Sequence, residues 1–135
     1  MEMIRWDKSF SVNVLRFDEE HKNIILIINR LIVAMQNNDE CEKVSDALNE
    51  MTSYAISHFK TEEDYMRRFG YQEYKLHKEE HREFTKTTVG FCKRVMNGNY
   101  NIASDLIEYL NHFLANHIQG TDKEYTECFN KNGIY

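Results

Sequence analysis

The stretch VSDALNEMTSYAISHFKTEEDY, residues Val44 to Tyr65, carries a single apolar stripe at helical spacing. The residues of this stripe lie three or four positions apart and are Val44, Leu48, Met51 and Ala55. At the same spacing the stripe continues through His58 and Glu62, so both lie on the face that the helix turns toward the core. A single inward histidine is more often an ordinary core residue than a metal ligand. These residues alone therefore leave two interpretations open, half of a metal site or one charged turn of a helix.

Length and composition indicate one nearly all-helical domain. The chain has 135 residues, no proline and only five glycines, and a domain of that length can bury a core without disulfides. We expect residues 1–135 to form this domain, with residues 1–17 as an N-terminal arm and 18–130 as a helical bundle. The formal net charge of −5, from 22 acidic and 17 basic residues, argues against a nucleic-acid-binding protein.

Other features of the sequence predict a soluble, cytoplasmic protein. The N-terminus MEMIRWDKSF lacks the apolar segment of a signal peptide. The most apolar run, from Ile24 to Met35, is too short to cross a bilayer, which takes about 20 residues. The three cysteines are Cys41, Cys92 and Cys128. They form no CxxC pair, and this pattern is typical of reduced thiols in a cytosolic protein.

Sparse turn signals divide the chain into four helices. They lie at Gln36–Glu40, where Asp39 and Glu42 are spaced as a capping box, at Gly70 and at Asn97–Asn99. The predicted helices cover residues 18–36, 40–69, 72–96 and 100–129. Short connections between long helices predict an up-down-up-down antiparallel four-helix bundle. The N-terminal arm is too apolar for a free tail, so we expect it to pack across the bundle.

Each predicted helix carries at least one histidine on its inward face. Five of the six histidines lie there, namely His21, His58, His77, His81 and His117. Burying so many imidazoles without a shared partner would leave several unsatisfied polar groups, each costing about 1–3 kcal/mol. Burying Glu62 without a cation would be worse. A metal centre removes both difficulties.

The spacing of the candidate ligands fits such a centre. His58 and Glu62 are four residues apart, as are His77 and His81. Residues four apart lie about 40° apart around a helix, so both side chains can reach one ion. His117 and Asp122 are five apart, about 140° on an ideal helix. Bringing Asp122 round requires a π-bulge or a local loosening near Gly120.

The ligand set constrains the metal. A set rich in imidazole with few carboxylates suits iron, zinc or copper better than magnesium or calcium. Seven ligands are too many for one tetrahedral zinc ion. They are about right for two metal ions that share bridging carboxylates.

The order His21, His58-x3-Glu62, His77-x3-His81, His117-x4-Asp122 resembles that of the hemerythrin family, and specifically the single-domain bacteriohemerythrins. Flanking segments agree, namely Trp6, SVNV at Ser11–Val14, DEEHKNI at Asp18–Ile24 and NHI at Asn116–Ile118. The resemblance covers nearly the whole chain. It implies a pair of non-haem iron ions with an oxo or hydroxo bridge.

The resemblance also implies a role for each ligand. One iron would be held by His77, His81 and His117, and the other by His21 and His58. Glu62 and Asp122 would bridge the two. The iron of His21 and His58 would then keep one open position, where O2 binds reversibly in this family.

Reversible O2 binding needs a pocket from which water is excluded. The resemblance implies that this pocket is lined by Ile24, Phe59, Phe113, Leu114 and Ile118, all of them apolar. Phe113 stands where the family usually has tryptophan, and Asn13 where glycine is common. Neither position is a ligand.

The remaining polar residues near the motifs are interpreted as surface. His112 lies off the face of His117 and is predicted to be a surface residue. Glu63 is about 100° from Glu62 around the helix and is expected to face water. The acids Glu79, Glu80 and Glu83 are also assigned mostly to the solvated face of their helix. One acid could orient a ligand imidazole through its free N–H, but the sequence does not select which.

We expect a protein that binds O2 for storage, transport or scavenging and is not an enzyme. Its partners would be O2 and an oxygen-using enzyme, without nucleic acid or membrane, in a monomer or weak homo-oligomer. Three alternatives stay open at this point. They are a sensor of O2 or redox state acting through a partner chain, a diiron enzyme that reduces peroxide or NO, and a structural or zinc-buffering bundle.

Overall fold

A computed structural model describes residues 2–135 of the chain. These residues form an antiparallel four-helix bundle without β-strands. The helices are α1 Leu15–Gln36, α2 Glu40–Arg68, α3 Tyr74–Met96, α4 Ala103–Phe113 and the short α5 Thr126–Lys131. A 3-10 turn at Lys8–Phe10 precedes them, and a π-helical turn, Leu114–Ile118, and a 3-10 turn, Thr121–Tyr125, link α4 to α5. The predicted fold class is confirmed.

The first helix begins three residues earlier than predicted because Asp18 fixes the chain before it. The Ser11 hydroxyl donates to Asp18 Oδ2 at 2.6 Å, and the Val12 N–H donates to Asp18 Oδ1 at 2.8 Å. Between them and the helix, Asn13 has a φ of 56°, in the left-handed region. Asparagine tolerates that conformation better than most residues. It therefore serves at a position where glycine was expected from the resemblance.

Two local predictions were wrong. The side chain of Asp39 makes no capping hydrogen bond to α2. Its backbone carbonyl accepts from the Glu42 N–H instead, at 3.1 Å. The third helix begins at Tyr74 and not at residue 72, since the segment after Gly70 forms a turn first.

Two apolar clusters lie at the two ends of a polar layer. The larger cluster fills the bundle from the α1–α2 turn to Phe59 and Ile118. The smaller one closes the end that holds the C-terminal segment and consists of Val12, Val14, Phe17, Met66, Tyr125 and Phe129. The N-terminal arm thus packs against the bundle, as predicted. None of the helices among residues 2–135 is both long enough and apolar enough to cross a membrane.

The fourth predicted helix is interrupted, and the interruption positions Asp122. The Gln119 N–H donates to the Leu114 carbonyl at 3.0 Å, which adds a residue to this turn. Gly120 then passes so close to Asn116 that a Cβ on Gly120 would lie 2.5 Å from the Asn116 carbonyl oxygen. The local loosening that the spacing of His117 and Asp122 required is present in the structure.

Candidate metal centre

The seven predicted ligands meet in one buried layer across the bundle. Helix α1 contributes His21, α2 contributes His58 and Glu62, and α3 contributes His77 and His81. His117 comes from the π-helical turn and Asp122 from the 3-10 turn. Each of the seven residues is at most 3% exposed. The inward stripes read from the sequence therefore converge as expected, whereas the role of these residues as metal ligands stays a prediction.

The layer divides into two groups of donor atoms. The first consists of His77, His81, His117, Glu62 and Asp122, and the second of His21, His58, Glu62 and Asp122. Within each group the donor atoms lie within 4.8 Å of one another. Both carboxylates belong to both groups. The structure thus offers two neighbouring cation sites with shared acids.

Each shared carboxylate turns one oxygen toward each group. Glu62 Oε2 lies 3.1 Å from His58 Nε2, and Glu62 Oε1 lies 3.2 Å from His81 Nε2. Asp122 Oδ2 lies 3.1 Å from His21 Nε2, and Asp122 Oδ1 lies 3.0 Å from His117 Nε2. This is the arrangement that a carboxylate needs to bridge two ions.

Several of these atoms approach closely without forming hydrogen bonds. Among the described residues, Glu62 Oε1, both Asp122 oxygens and the Nε2 atoms of His77, His81 and His117 are buried without a hydrogen-bond partner. Burying each such atom without a partner lowers the stability of the fold by about 1–3 kcal/mol. A cation between them would be the missing partner. The donor set, mainly imidazole, fits iron or another transition metal.

The electrostatics of the layer favour positive charge. Burial alone would lower the pKa of His21, but the adjacent carboxylates of Asp122 and Glu62 outweigh it and raise the pKa to about 9. The same balance raises the pKa of His77 to about 10. Burial opposes the ionised form of Glu62 and Asp122, yet neighbouring imidazoles hold the pKa of both carboxyls well below its usual range. The two carboxylates of the layer therefore stabilise positive charge beside them, either as protonated histidines or as metal ions.

Three further glutamates contact the outer nitrogen of imidazoles that are predicted to be ligands. Glu20 lies 2.7 Å from His58 Nδ1, Glu63 lies 2.8 Å from His81 Nδ1, and Glu80 lies 2.9 Å from His117 Nδ1. The expectation that Glu63 faces water was wrong, because its side chain is only 15% exposed and points toward α3. Glu80 is also engaged, although it remains 45% exposed. Hydrogen bonds of this kind fix the tautomer that leaves Nε2 free for a metal.

The three glutamates follow one rule that sequence reasoning missed. Each is adjacent in the chain to a predicted ligand, and each binds the histidine of the next helix. Glu20 beside His21 reaches α2, and Glu63 beside Glu62 reaches α3. The signal available in the sequence was an acidic residue directly beside a predicted inward-facing ligand. The Nδ1 atoms of His21 and His77 have no such partner among residues 2–135.

Aromatic rings cover the layer on both sides. Tyr125 donates its hydroxyl hydrogen to Glu62 Oε2 at 2.6 Å from the side of the smaller apolar cluster, a contact that was not predicted. On the other side Phe59 stacks on His81 with ring centroids 3.8 Å apart, and Phe113 stacks on His117 at 4.7 Å. The five predicted pocket residues, Ile24, Phe59, Phe113, Leu114 and Ile118, are all buried. That they line an O2 pocket stays a prediction.

The remaining histidine and the cysteines lie apart from the layer. His112 is exposed and hydrogen-bonds to Asn116, as expected of a surface residue. The cysteines Cys41, Cys92 and Cys128 are not disulfide-bonded. None of them belongs to either donor group.

Comparison with known proteins agrees with this geometry. Residues 13–128 match the family model described as the hemerythrin HHE cation binding domain. A bacteriohemerythrin of Methylococcus capsulatus is 32% identical over 131 residues, which cover 95% of this chain and 98% of that one. A hemerythrin-like protein of Naegleria gruberi is 29% identical, with 89% and 88% covered. The crystal structure of a wild-type hemerythrin superposes with a TM-score of 0.82 at 29% identity and covers 94% of this chain and 98% of its own.

Proposed function

The chain belongs to the hemerythrin family, and from that premise we propose that its buried layer holds two non-haem iron ions and binds O2 reversibly. The observation that carries the proposal is the pair of donor groups that share Glu62 and Asp122. One iron would be held by His77, His81 and His117, and the other by His21 and His58. Glu62 and Asp122 would bridge them, together with an oxo or hydroxo group.

The two donor groups are unequal, and this inequality supports a binding position. Five residues supply the first group and four supply the second. The ion beside His21 and His58 would therefore have one protein ligand fewer. When bound, the iron pair supplies the electrons that reversible O2 binding requires. The protein's own contribution is to hold both positions and to leave the second one incomplete.

The outer glutamates prepare the imidazoles for metal. With a carboxylate on Nδ1, the imidazole carries its proton there and directs the Nε2 lone pair inward. Glu20 does this for the group of His21 and His58, and Glu63 and Glu80 do it for the other group. Both proposed irons thus have at least one ligand of fixed orientation.

The apolar side of the layer would keep water away from the bound gas. Phe59 and Phe113 lie directly on two of the ligand rings, and Ile24, Leu114 and Ile118 are almost fully buried. A dry pocket prevents proton leakage and side reactions of a bound reactive species. We propose that the protein stores, transports or scavenges O2 and is not an enzyme. The ferritin-like diiron proteins bind their metals mainly through glutamates, whereas five of the seven proposed ligands here are histidines.

Anaerobic purification, iron analysis and O2 titration test this function. We expect about two irons per chain and a visible absorption band that appears with O2 and disappears on its removal. Glu62→Ala should abolish the band, whereas Glu79→Ala, a change at an exposed residue of α3, should not. A colourless protein that retains zinc in air, or steady catalytic turnover of peroxide or NO, would overturn the proposal.

A further inference from the structure

The hydroxyl group of Tyr54 is buried without a partner. Tyr54 lies on α2, one turn before His58, and its ring stacks on the His58 ring with centroids 4.5 Å apart and planes 23° apart. Its oxygen is fully buried and makes no hydrogen bond among the described residues. A buried donor left unpaired destabilises a fold. Each such group in a native structure calls for an explanation, for example a functional role or a bound water or ion.

The surroundings of Tyr54 locate this hydroxyl beside the predicted gas pocket. Its ring contacts Phe59 at 5.3 Å and Phe113 at 6.5 Å between centroids. These two phenylalanines are the ones that stack on His81 and His117. Tyr54 therefore completes an aromatic wall above the histidine layer, on the side of His58.

The charges near Tyr54 also indicate that its hydroxyl lies close to the histidine layer. Burial, then Glu62 and Asp122, and to a lesser degree Glu20, raise its pKa well above the ordinary value. The hydroxyl thus lies within electrostatic reach of both shared carboxylates.

Two other buried residues carry hydroxyls that are paired. Tyr125 lies on the opposite side of the layer and donates to Glu62 at 2.6 Å. Thr88 donates to the Phe84 carbonyl at 2.8 Å. Both donors are satisfied, whereas among residues 2–135 the hydroxyls of Tyr54 and Tyr71 are not. Of these two, Tyr54 is the one whose ring stacks on a histidine of the layer.

A cleft also reaches Tyr54 from outside. It lies between α1 and α2, has a volume of about 420 Å³, and includes Asn23, Ser53, Tyr54 and His58 in its lining. Tyr54 and His58, which are 5% and 1% exposed, thus lie at the floor of a surface cleft.

We propose that the Tyr54 hydroxyl donates a hydrogen bond to the small ligand, O2 or an anion, that is taken up beside His21 and His58. This inference rests on the proposed iron site and adds to it a ligand-binding residue. The ligand supplies the acceptor that the Tyr54 hydroxyl lacks among residues 2–135. Such a bond selects for ligands that carry an acceptor atom on the side of α2.

Azide is a suitable probe for the oxidised, iron-loaded protein because it is a small anion with acceptor atoms. We compare Tyr54→Phe with Tyr109→Phe, whose ring packs on Phe84 and Phe91 away from the ligand layer. Loss of a single hydrogen bond should weaken azide binding about three- to tenfold in Tyr54→Phe, measured by titration of the visible spectrum. Tyr109→Phe should bind azide like the unmodified protein.

A second measurement needs no metal. In the metal-free protein, Tyr54→Phe removes an unpaired buried donor and keeps the ring, so the thermal midpoint should rise. A hydroxyl with a structural partner would give a lower midpoint, and that result would overturn the proposal.

The remaining outcomes separate this inference from the function on which it rests. Equal azide affinity in the two variants, at unchanged iron content, would refute the role of Tyr54 and leave the iron site intact. An unmodified protein that holds no iron would refute both.

Discussion

Glu63 lies 2.8 Å from the Nδ1 atom of His81 on the neighbouring helix, while the adjacent Glu62 turns inward between the two donor groups. One turn of α2 therefore supplies a shared carboxylate and the outer partner of a different ligand. The pattern repeats with Glu20 toward α2 and Glu80 toward the turn after α4. The helices are thus linked around the site in chain order.

Replacing Glu63 by Gln should weaken metal binding without abolishing it. The amide cannot hold the His81 proton as the carboxylate does, and loss of such an outer partner typically costs about 10–100-fold in metal affinity. Competition with a chelator measures the affinity. Glu79→Gln is the matched control, because that side chain is 59% exposed and pairs only with Arg82. Identical affinities in the two variants would show that the Glu63 contact is unimportant.

Removing a shared ligand should differ from removing an unshared one. Glu62 belongs to both donor groups and His21 to one. We expect Glu62→Ala to lose both ions and His21→Ala to retain about one per chain, because three imidazoles remain in the other group. Metal analysis after gel filtration gives the stoichiometry, and His112→Ala should leave it unchanged. Retention of both ions by Glu62→Ala would contradict the shared arrangement.

The metal-free protein should lose stability as the pH rises from about 6.5 to 10. The pKa values of His21 and His117 are raised from 6.5 to about 9, and that of His77 to about 10, because the adjacent carboxylates outweigh burial. A raised histidine pKa stabilises the fold below the unfolded value, and this contribution is lost on deprotonation. Thermal midpoints of chelator-treated protein across this range test the prediction.

The metal-loaded protein provides the comparison for that experiment. Bound metal replaces the protons, so its midpoint should change less between these pH values, and loading at neutral pH should release protons. A metal-free midpoint that rises with pH would contradict the assigned charge balance.

Gly120→Ala should disrupt the site from outside it. A Cβ there would lie 2.5 Å from the Asn116 carbonyl oxygen, so the turn that carries Asp122 must shift. We expect a loss of about 1–3 kcal/mol in the free energy of unfolding, together with weaker metal binding. Gly90→Ala is the control, because a Cβ on this exposed helical glycine meets nothing within 4 Å. It should stabilise the fold by about 0.5–1 kcal/mol. Denaturant titration distinguishes the two.

The fold and the seven converging residues could be predicted because helical periodicity assigns each residue to a face. Stripes through Val44 and Ile24 identify inward directions, and His58 and His21 continue them. Periodicity does not identify which helix a flanking residue meets. Glu63 lies about 100° from Glu62 around the helix. In this bundle that direction faces α3, where Glu63 contacts His81, and not solvent.

The break in the fourth helix was predictable only in part. The spacing of His117 and Asp122 required a loosened turn, but its position depends on the π-helical bond from Gln119 to Leu114. Tyr54 and Tyr125 escaped notice because an aromatic residue at helical spacing resembles ordinary core. Only the three-dimensional surroundings distinguish a satisfied hydroxyl from an unpaired one.

The interrupted fourth helix also bears on the order of folding. The segment after Gly120 carries Asp122 and is tied to the N-terminal arm, since the Thr126 hydroxyl donates to the Val12 carbonyl at 2.6 Å across 114 positions of sequence. Contacts so distant in the chain form late, because closing the long loop between them costs conformational entropy before the contact stabilises the fold. We therefore expect the hairpin of α1 and α2 to form early and the full ligand set to assemble when the segments around Val12 and Thr126 meet. Pulsed hydrogen exchange during refolding would reveal this, with α5 amides protected after those of α1; simultaneous protection would exclude it.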